Sequence, residues 1–577
     1  MDKPWIKHYP PGVPAEIDPH PFPSLGDFFD DCCERFGARQ AFVNLGSGLS
    51  YDEANRLVQR FAGYLQGLGL PKGARVAVMM PNSLQYPIAV FGVLRAGLTV
   101  VNVNPMYTAS ELAVQLGNAQ ASAIVVFENF AHTLQQALPM LPALKHVIVT
   151  QIGDLFPQPR RWVTNFVVRD VKGMVPAWSI PGATPLRDAL AIGHQRGFTS
   201  VPVSPGDLAF IQYTGGTTGR PKGAALTHGN LMANVEQTTA WLAGALKLGE
   251  ETVITALPLY HVFALTANLM MFLKLGGTNV LVSDPRDIPH FVELLHKTRF
   301  TVITGVNTLF NALLNAPHFD AVVKSNAGAL KLSVAGGMAV QRPVAERWQQ
   351  AMGVPIVEGY GLSETSPIVC ANPVNAPAFT GKLGLPIPST EVAIMDEYSR
   401  PLPLGETGEI CVRGPQVMRG YWGAPDETAK VFIDGGWLRT GDIGRMDDQG
   451  YVQFVDRAKD LVVVSGFKAY PAEIEEVVRT CPGVADCGVV GVPDAAAGEA
   501  VALVVVRSDP GLTEETVREH CRQHLTRYKQ PSIVVFRDEL PRTSFGKVLR
   551  RQLRDDLVRL THEVGLGASA ASTAQPH

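Results

Sequence analysis

The residues best equipped for chemistry in this sequence begin at Tyr213-Thr-Gly-Gly-Thr-Thr-Gly-Arg-Pro-Lys-Gly223. Glycines allow backbone N–H groups to approach an anion closely. Thr214, Thr217 and Thr218 add hydroxyl donors, and Lys222 adds a positive charge. These are the requirements of a phosphate-holding loop at the end of a strand. No Gly-Lys-Ser/Thr follows at the Walker spacing, so it is not that loop. A Gly/Thr-rich run would also serve as a flexible turn, and composition alone leaves the two readings open. No Gly-x-Ser-x-Gly elbow marks a serine nucleophile.

The elements that must position such a loop read as alternating strands and helices. Arg75–Met80 is a short apolar run, Leu84–Gly97 is long enough for a helix, and Thr99–Val103 and Ser122–Phe127 read as strands. Thr108-Ala-Ser-Glu111 has the spacing of a capping box and opens a further helix. An apolar strand, Asp207–Gln212, feeds the glycine loop. The alternation predicts parallel sheets with helices on their faces, an α/β fold. Phe156–Pro185, with its Pro, Arg and Trp residues, breaks the pattern and reads as a surface insertion.

With 577 residues, two or more domains are expected. Near the C-terminus a separate α+β unit reads as helix Ala472–Thr480, strands Asp486–Val492 and Ala500–Arg507, helix Glu514–Leu525 and strand Ser532–Phe536. The charged run Asp456–Asp460 marks the boundary. The expected division is a large domain over 1–458, a small one over 459–560, and a disordered tail over 561–577, since the chain is mostly Gly, Ala, Ser and Thr from Gly565 onward.

Fifty Lys plus Arg against 53 Asp plus Glu argue against a nucleic-acid partner. Seven cysteines lie scattered with no Cys-x-x-Cys pair, which fits a reducing compartment. The opening Met1-Asp2-Lys3-Pro4-Trp5 has no apolar signal core, so a cytoplasmic location is expected. Thr252–Leu273 carries no Asp, Glu, Lys or Arg and imitates a membrane span. Its Pro258, Tyr260, His261 and Asn268 favour a buried core segment instead.

Further motifs follow in order: Glu358-Gly-Tyr-Gly-Leu-Ser-Glu-Thr365, Gly408-Glu-Ile-Cys-Val-Arg-Gly-Pro415, Gly436-Trp-Leu-Arg-Thr-Gly-Asp-Ile-Gly444, Asp456-Arg457, Ser465-Gly-Phe-Lys-Ala-Tyr-Pro471 and Pro541-Arg-Thr-Ser-Phe-Gly-Lys547. Together, over about residues 20–555, they resemble the adenylate-forming superfamily of acyl-CoA synthetases. Trp5–Pro10, Phe91–Pro105, Leu257–Leu265, Asp284–Pro289 and Thr304–Asn311 resemble most the bacterial long-chain fatty acid–CoA ligases of fatty-acid degradation.

The resemblance implies a large N-terminal multi-sheet domain, a small mobile C-terminal domain, and a role for each matched residue. Thr214, Gly215, Gly216, Thr217, Thr218, Gly219 and Lys222 would hold the ATP phosphates. Glu364, with Thr214, would bind Mg²⁺, a hard cation suited to oxygen ligands. Tyr360, flanked by Glu358 and Gly359 and near Gly336 and Gly337, would stack on adenine. Asp442, assisted by Arg457, would take the ribose hydroxyls. Lys547 would bridge the fatty carboxylate and α-phosphate, where charge spreads in the transition state. His261, Leu265, Gly361, Gly466 and Phe467 would line the acyl and CoA channel. Lys459 would be the hinge between an adenylate-forming and a thioester-forming arrangement. Acetate-activating relatives place Trp where this chain has Gly361, which implies open space there.

The implied reaction takes a long-chain fatty acid, ATP and CoA to acyl-CoA, AMP and pyrophosphate. A rival is a fatty acyl-AMP ligase serving a carrier-protein thiol; the insertion such enzymes carry near the hinge is not visible between Asp456 and Tyr470. A second rival is a non-catalytic acyl- or nucleotide-binding relative, against which the joint presence of Lys547, Glu364 and Asp442 argues. In isolation each residue has a plainer reading: Asp442 and Glu364 as solvated acids, Lys547 with Arg550 and Arg551 as a solvated basic face, Tyr360 and His261 as core. The chain departs from the family's usual residues at Ala335, Arg439, Ser544 and Phe545. The resemblance also implies a homodimer through the N-terminal domain. Arg160, Arg161, Arg169 and Lys172, interleaved with Trp162, Phe166, Val167, Met174, Val175 and Trp178, suggest peripheral contact with an anionic membrane, with an ordinary packed insertion as the alternative.

Overall fold

The structure, a computed structural model, describes residues 3–214, 221–465, 467–494, 497–542 and 548–564. The expectations for Gly215, Gly216, Thr217, Thr218, Gly219, Gly466, Ser544, Phe545 and Lys547 lie outside the described residues.

The chain divides into two compact units. The first comprises Met1–Val392, Val412–Leu438 and Gln449–Tyr451. One of its sheets has eight strands, with Leu208–Thr214, Thr99–Val103, Arg75–Met79, Ala121–Phe127 and His146–Thr150 side by side and parallel. These strands read as continuous apolar runs because both faces are covered. Thr99–Val103 is buried at every position. The expected capping box is present: Thr108 and Glu111 satisfy each other's backbone N–H groups at the start of helix Ala109–Ala119. A second box, from Ser50 and Glu53, opens helix Tyr51–Gly67.

The other sheet has nine strands. Its parallel centre runs Ile356–Gly361, Leu332–Ala335, Val302–Gly305, Thr252–Thr255, Thr278–Leu281 and Gln40–Asn44. The apolar segment Thr252–Leu273 is one of these strands followed by the short turns Val262–Ala264 and Leu265–Met270 and the start of helix Met271–Lys274. Its polar Asn268 is fully buried and bonded to the hydroxyls of Thr255 and Thr304. Among the described residues no helix is long and apolar enough to cross a membrane.

Phe156–Pro185, expected as a surface insertion, carries secondary structure of its own. Helix Arg160–Phe166 runs into a π turn, Val167–Val171, and Thr184–Pro185 pairs with the edge of the eight-stranded sheet. Phe156 and Ile180 are buried and anchor its ends.

The second unit comprises Ala393–Cys411, Arg439–Asp448 and Val452–His577. Within it Val452–Arg457 pairs antiparallel with the strand ending at Met446. Strands Val462–Val464, Gly498–Arg507, Val484–Asp494 and Ile533–Arg537 form its central sheet. Helices Pro471–Arg479 and Glu514–His524 pack on one face through Ile474, Val478, Val517 and Cys521. Helix Arg550–Val564 covers the other through Leu553 and Leu557. That helix passes the expected start of the tail at 561, a position inferred only from where the Gly/Ala/Ser-rich composition begins.

Candidate active site

In the first unit, Leu208–Thr214 and Lys222–Thr227 form an antiparallel hairpin with Thr214 opposite Lys222. The two ends of the glycine loop are therefore held together by the ladder. The Thr214 hydroxyl donates to the Lys222 carbonyl at 3.4 Å. The Lys222 ammonium pairs with the Glu427 carboxylate and lies 5.3 Å from the centre of the Tyr421 ring. Lys222 and Lys430 together draw the Glu427 carboxyl down to about 2.

Gly420–Tyr421 extends the same sheet, with Tyr421 opposite Ala224. Its phenol donates a 2.8 Å hydrogen bond to Oε1 of Glu364. Burial and the adjacent Glu364 charge push the Tyr421 hydroxyl far above its usual range, so it remains a donor. Glu364 sits in the turn Ser363–Thr365, and its carbonyl accepts from Met418 N at 2.7 Å. Glu364, Lys222 and Tyr421 thus form one connected group. Neither Tyr421 nor Glu427 is marked by any local pattern in the sequence; the sheet brings Tyr421, and the following helix Pro425–Val431 brings Glu427, to Lys222 across about 200 positions.

One carboxylate and one hydroxyl, with Glu364 oriented by Tyr421, suit a hard cation that arrives with phosphate oxygens. Among the described residues no group of three or more His, Cys, Asp or Glu could hold a metal. The donor set fits Mg²⁺ carried by a nucleotide.

Glu358, Gly359, Tyr360 and Gly361 lie on one strand, beside the strand ending at Ala335, with Ala335 opposite Glu358. Val340 N donates to Glu358 Oε1 at 2.9 Å, yet burial still pushes this carboxyl up to about 7. Gly337 adopts φ +79°, with open space where a side chain would begin; Gly336 has Phe263 at 3.0 Å from that position. Ala335 is fully buried, and its small side chain fits this packing.

The open space expected at Gly361 is not there. A Cβ at Gly361 would lie 2.0 Å from the Pro367 carbonyl oxygen and 2.6 Å from its carbon. The antiparallel pairing of Gly361 with Ile368 brings the backbones this close. Leu265 is likewise a fully buried core residue. His261 caps the Val262–Ala264 turn, its Nδ1 accepting from Phe263 N, and the packing around the ring lowers it to about 4, a neutral imidazole.

In the second unit, Asp442 and Arg457 are opposite each other on paired strands, and Arg457 Nε meets Asp442 Oδ1 at 3.1 Å. Asp442 is 2% exposed, so it is not a solvated acid. Arg439 is accounted for: it pairs with Glu409, which also accepts from Gly441 N at 3.0 Å and so fixes the turn before Asp442. Burial, followed by repulsion from Arg457, lowers the Lys459 pKa. Phe467 is 60% exposed and stacks on Tyr528 at 5.2 Å. Arg550 is not part of a solvated basic face. Its guanidinium lies among Asp456, Asp460 and Glu475 at 3.5, 3.1 and 2.9 Å. Asp456, fully buried, is pushed up to about 6.

The sequence pattern of the AMP-binding enzyme family matches residues 29–422, and that of the AMP-binding enzyme C-terminal domain matches 473–547. The chain belongs to the AMP-binding enzyme family. This AMP-binding enzyme is 51% identical to a long-chain-fatty-acid–CoA ligase of Escherichia coli O6:H1 (strain CFT073), over 96% of this chain and 98% of that one. It is 36% identical to a long-chain-fatty-acid–CoA ligase of Bacillus subtilis (strain 168), over 96% and 98%. Its fold matches that of ATP-bound MatB from Rhodopseudomonas palustris with a TM-score of 0.79 at 29% identity, covering 93% of this chain and 99% of that one. The expected fold, a large multi-sheet α/β domain with a smaller C-terminal one, is borne out.

Proposed function

We propose that this AMP-binding enzyme is a long-chain fatty acid–CoA ligase. ATP and a fatty acid give acyl-AMP and pyrophosphate, and CoA then takes the acyl group and releases AMP. The observation that carries this reading is the 51% identity to the Escherichia coli ligase across nearly the whole of both chains.

Thr214 and Lys222, at the two ends of the hairpin, hold the phosphates, and Lys222 exchanges Glu427 for a phosphate oxygen. Glu364 and Thr214 would hold Mg²⁺, which would supply positive charge beside the phosphates. The strand Glu358–Gly361 and the Gly336-Gly337 turn receive adenine, with Tyr360 as the stacking ring. Asp442, oriented by Arg457, accepts from the ribose hydroxyls. A carboxylate attacking the α-phosphate brings two anions together, and the Lys547 ammonium stabilises the charge that spreads in that step. Rotation at Lys459 then exchanges Lys547 for the Ser465–Tyr470 segment, with Gly466 and Phe467, beside the CoA thiol. The domain division near 458/459, a homodimer through the large domain and a cytoplasmic location with peripheral contact at the inner membrane belong to the same reading.

The test is CoA-dependent AMP release over a series of acids from acetate to oleate. Long acids are expected to exceed short ones by orders of magnitude in kcat/KM, since each buried methylene contributes about 0.8 kcal/mol gross. A preference for acetate overturns the substrate class. Acyl-AMP formation without CoA acylation points to carrier-protein delivery instead.

A further inference from the structure

The segment Arg160–Met174 presents large apolar side chains outward. Trp162, Val163, Phe166, Val171 and Met174 are between 54% and 74% exposed. An ordinary surface helix turns such residues toward the core. Here only Val168 packs inward against the core, beside Asn165, which accepts from Gly153 N at 2.8 Å and donates to Gln151 Oε1 at 2.8 Å, while the larger side chains face outward. Trp162, Val163 and Phe166 are neighbours at helical spacings of three and four. An α-helix would swing Val171 well away from Phe166. The π turn, closed by Lys172 N donating to Val167 O at 2.8 Å, brings it back toward that side. Continuous apolar faces of this kind on a monomer mark a docking surface.

The charges around it identify the occupant. Arg169 is 54% exposed and lies 3.9 Å from the buried Glu128 carboxylate, Lys172 is exposed, and Arg161 is half-buried. Asp170 is the one acid between Arg160 and Met174. Basic residues beside an apolar face rich in Trp and Phe match an anionic lipid surface, with the rings at the headgroup boundary and the cations at the phosphates.

We propose that Trp162, Val163, Phe166, Val171 and Met174, with Arg161, Arg169 and Lys172, form a docking surface for an anionic bilayer. The proposal locates the membrane contact named above, and it rests on the ligase reading only for its purpose: long-chain acids partition into bilayers, and docking brings the enzyme to them.

The test is co-sedimentation of the full chain with phosphatidylethanolamine–phosphatidylglycerol vesicles and with phosphatidylcholine vesicles. Wild type should bind the anionic vesicles at least about tenfold more tightly, because each cation near the surface contributes about 1 kcal/mol. The triple variant Trp162→Ser/Phe166→Ser/Val171→Ser should lose binding to both vesicles. The variant Arg161→Ser/Arg169→Ser/Lys172→Ser should lose the anionic preference. Both should retain wild-type turnover of monomeric decanoate, which establishes that they are folded. Wild type failing to bind, or variants binding as wild type does, overturns the proposal. So does a wild-type dimer that the apolar substitutions dissociate, since the face would then join two copies. Vesicle binding by a protein that ligates no acid would sink the ligase reading and leave the surface standing.

Discussion

The Tyr421 phenol and the Glu364 carboxylate are joined by a 2.8 Å hydrogen bond to Oε1. It fixes one oxygen of the carboxylate proposed above as a Mg²⁺ ligand. A hydrogen bond to a charged acceptor contributes about 1.5–3 kcal/mol. Tyr421→Phe should therefore raise the Mg²⁺ concentration for half-maximal ATP–pyrophosphate exchange by about tenfold or more, with little change in Tm. Exchange that depends on Mg²⁺ as in wild type would leave Tyr421 a purely structural role.

Lys222 is held by Glu427 on a partly exposed surface, the two side chains being 26% and 32% exposed. Such a pair is worth less than about 1 kcal/mol, so releasing it should have a small effect of definite sign. Glu427→Gln should tighten ATP binding by about two- to fivefold, and Lys222→Ala should weaken it. Calorimetric titration of ATP without fatty acid measures both. Weaker binding in Glu427→Gln would mean that Glu427 holds Lys222 in place for the phosphate rather than competing for it.

Lys547→Ala should separate the two half-reactions. Its ammonium is assigned to adenylate formation alone, where loss of one such contact is worth roughly 10²–10³ in rate. Thioester formation from supplied acyl-AMP should be spared. Equal losses in both steps would remove the role.

Much of the scaffold was legible because it rests on local chemistry. The Thr108–Glu111 box opens its helix where expected. The small unit's strands and helices fall within a few residues of their apolar runs, as in Gly498–Arg507 and Glu514–His524. The roles proposed for Glu364, Tyr360, Asp442 and Lys547 rest on resemblance; nothing local in the sequence marks Asp442 as buried against Arg457. What escaped depends on long-range packing. Tyr421 and Glu427 acquire meaning only when the sheet and the helix after it carry them to Glu364 and Lys222. Arg550 looks basic and solvated in sequence, yet three carboxylates surround it.

Glu358 should give the protein a measurable pH dependence. Burial raises its carboxyl from 4.5 to about 7, so the native state holds its proton where the unfolded chain has lost it. Stability therefore falls as pH climbs through this window and levels off above it. Asp456, raised from 3.8 to about 6 by burial, adds a slope of the same sign in the second unit. The informative quantity is thus the difference between variant and wild type. Glu358→Gln keeps an acceptor for Val340 N and removes the titration. Its Tm advantage should grow from near zero at pH 5 to a few degrees at pH 8. An advantage that does not change with pH would mean that Glu358 is ionised throughout.

Gly361 provides the sharpest test of how resemblance and packing combine. The resemblance stated from the sequence implies that a Trp here would close an acid pocket and leave the nucleotide site intact. The backbone of Pro367 occupies the first atom of any such side chain, 2.0 Å from an added Cβ, and Ile368 Cα lies at 3.1 Å. Backbone atoms cannot turn aside as a side-chain tip can, so strain of at least the roughly 1–3 kcal/mol of core overpacking follows. Gly361→Ala alone should lower Tm. Gly361→Trp should force apart the pairing of Gly361 with Ile368, and with it the adjoining turn that carries Glu364. Both variants should therefore lose ATP binding along with palmitate activation, read by thermal melts and calorimetric titration of ATP. A Gly361→Trp protein that melts as wild type does, binds ATP normally and rejects only long acids would show that the acyl chain does pass this glycine. Chain-length selection would then belong to Gly361 after all, rather than to side chains elsewhere in the large domain.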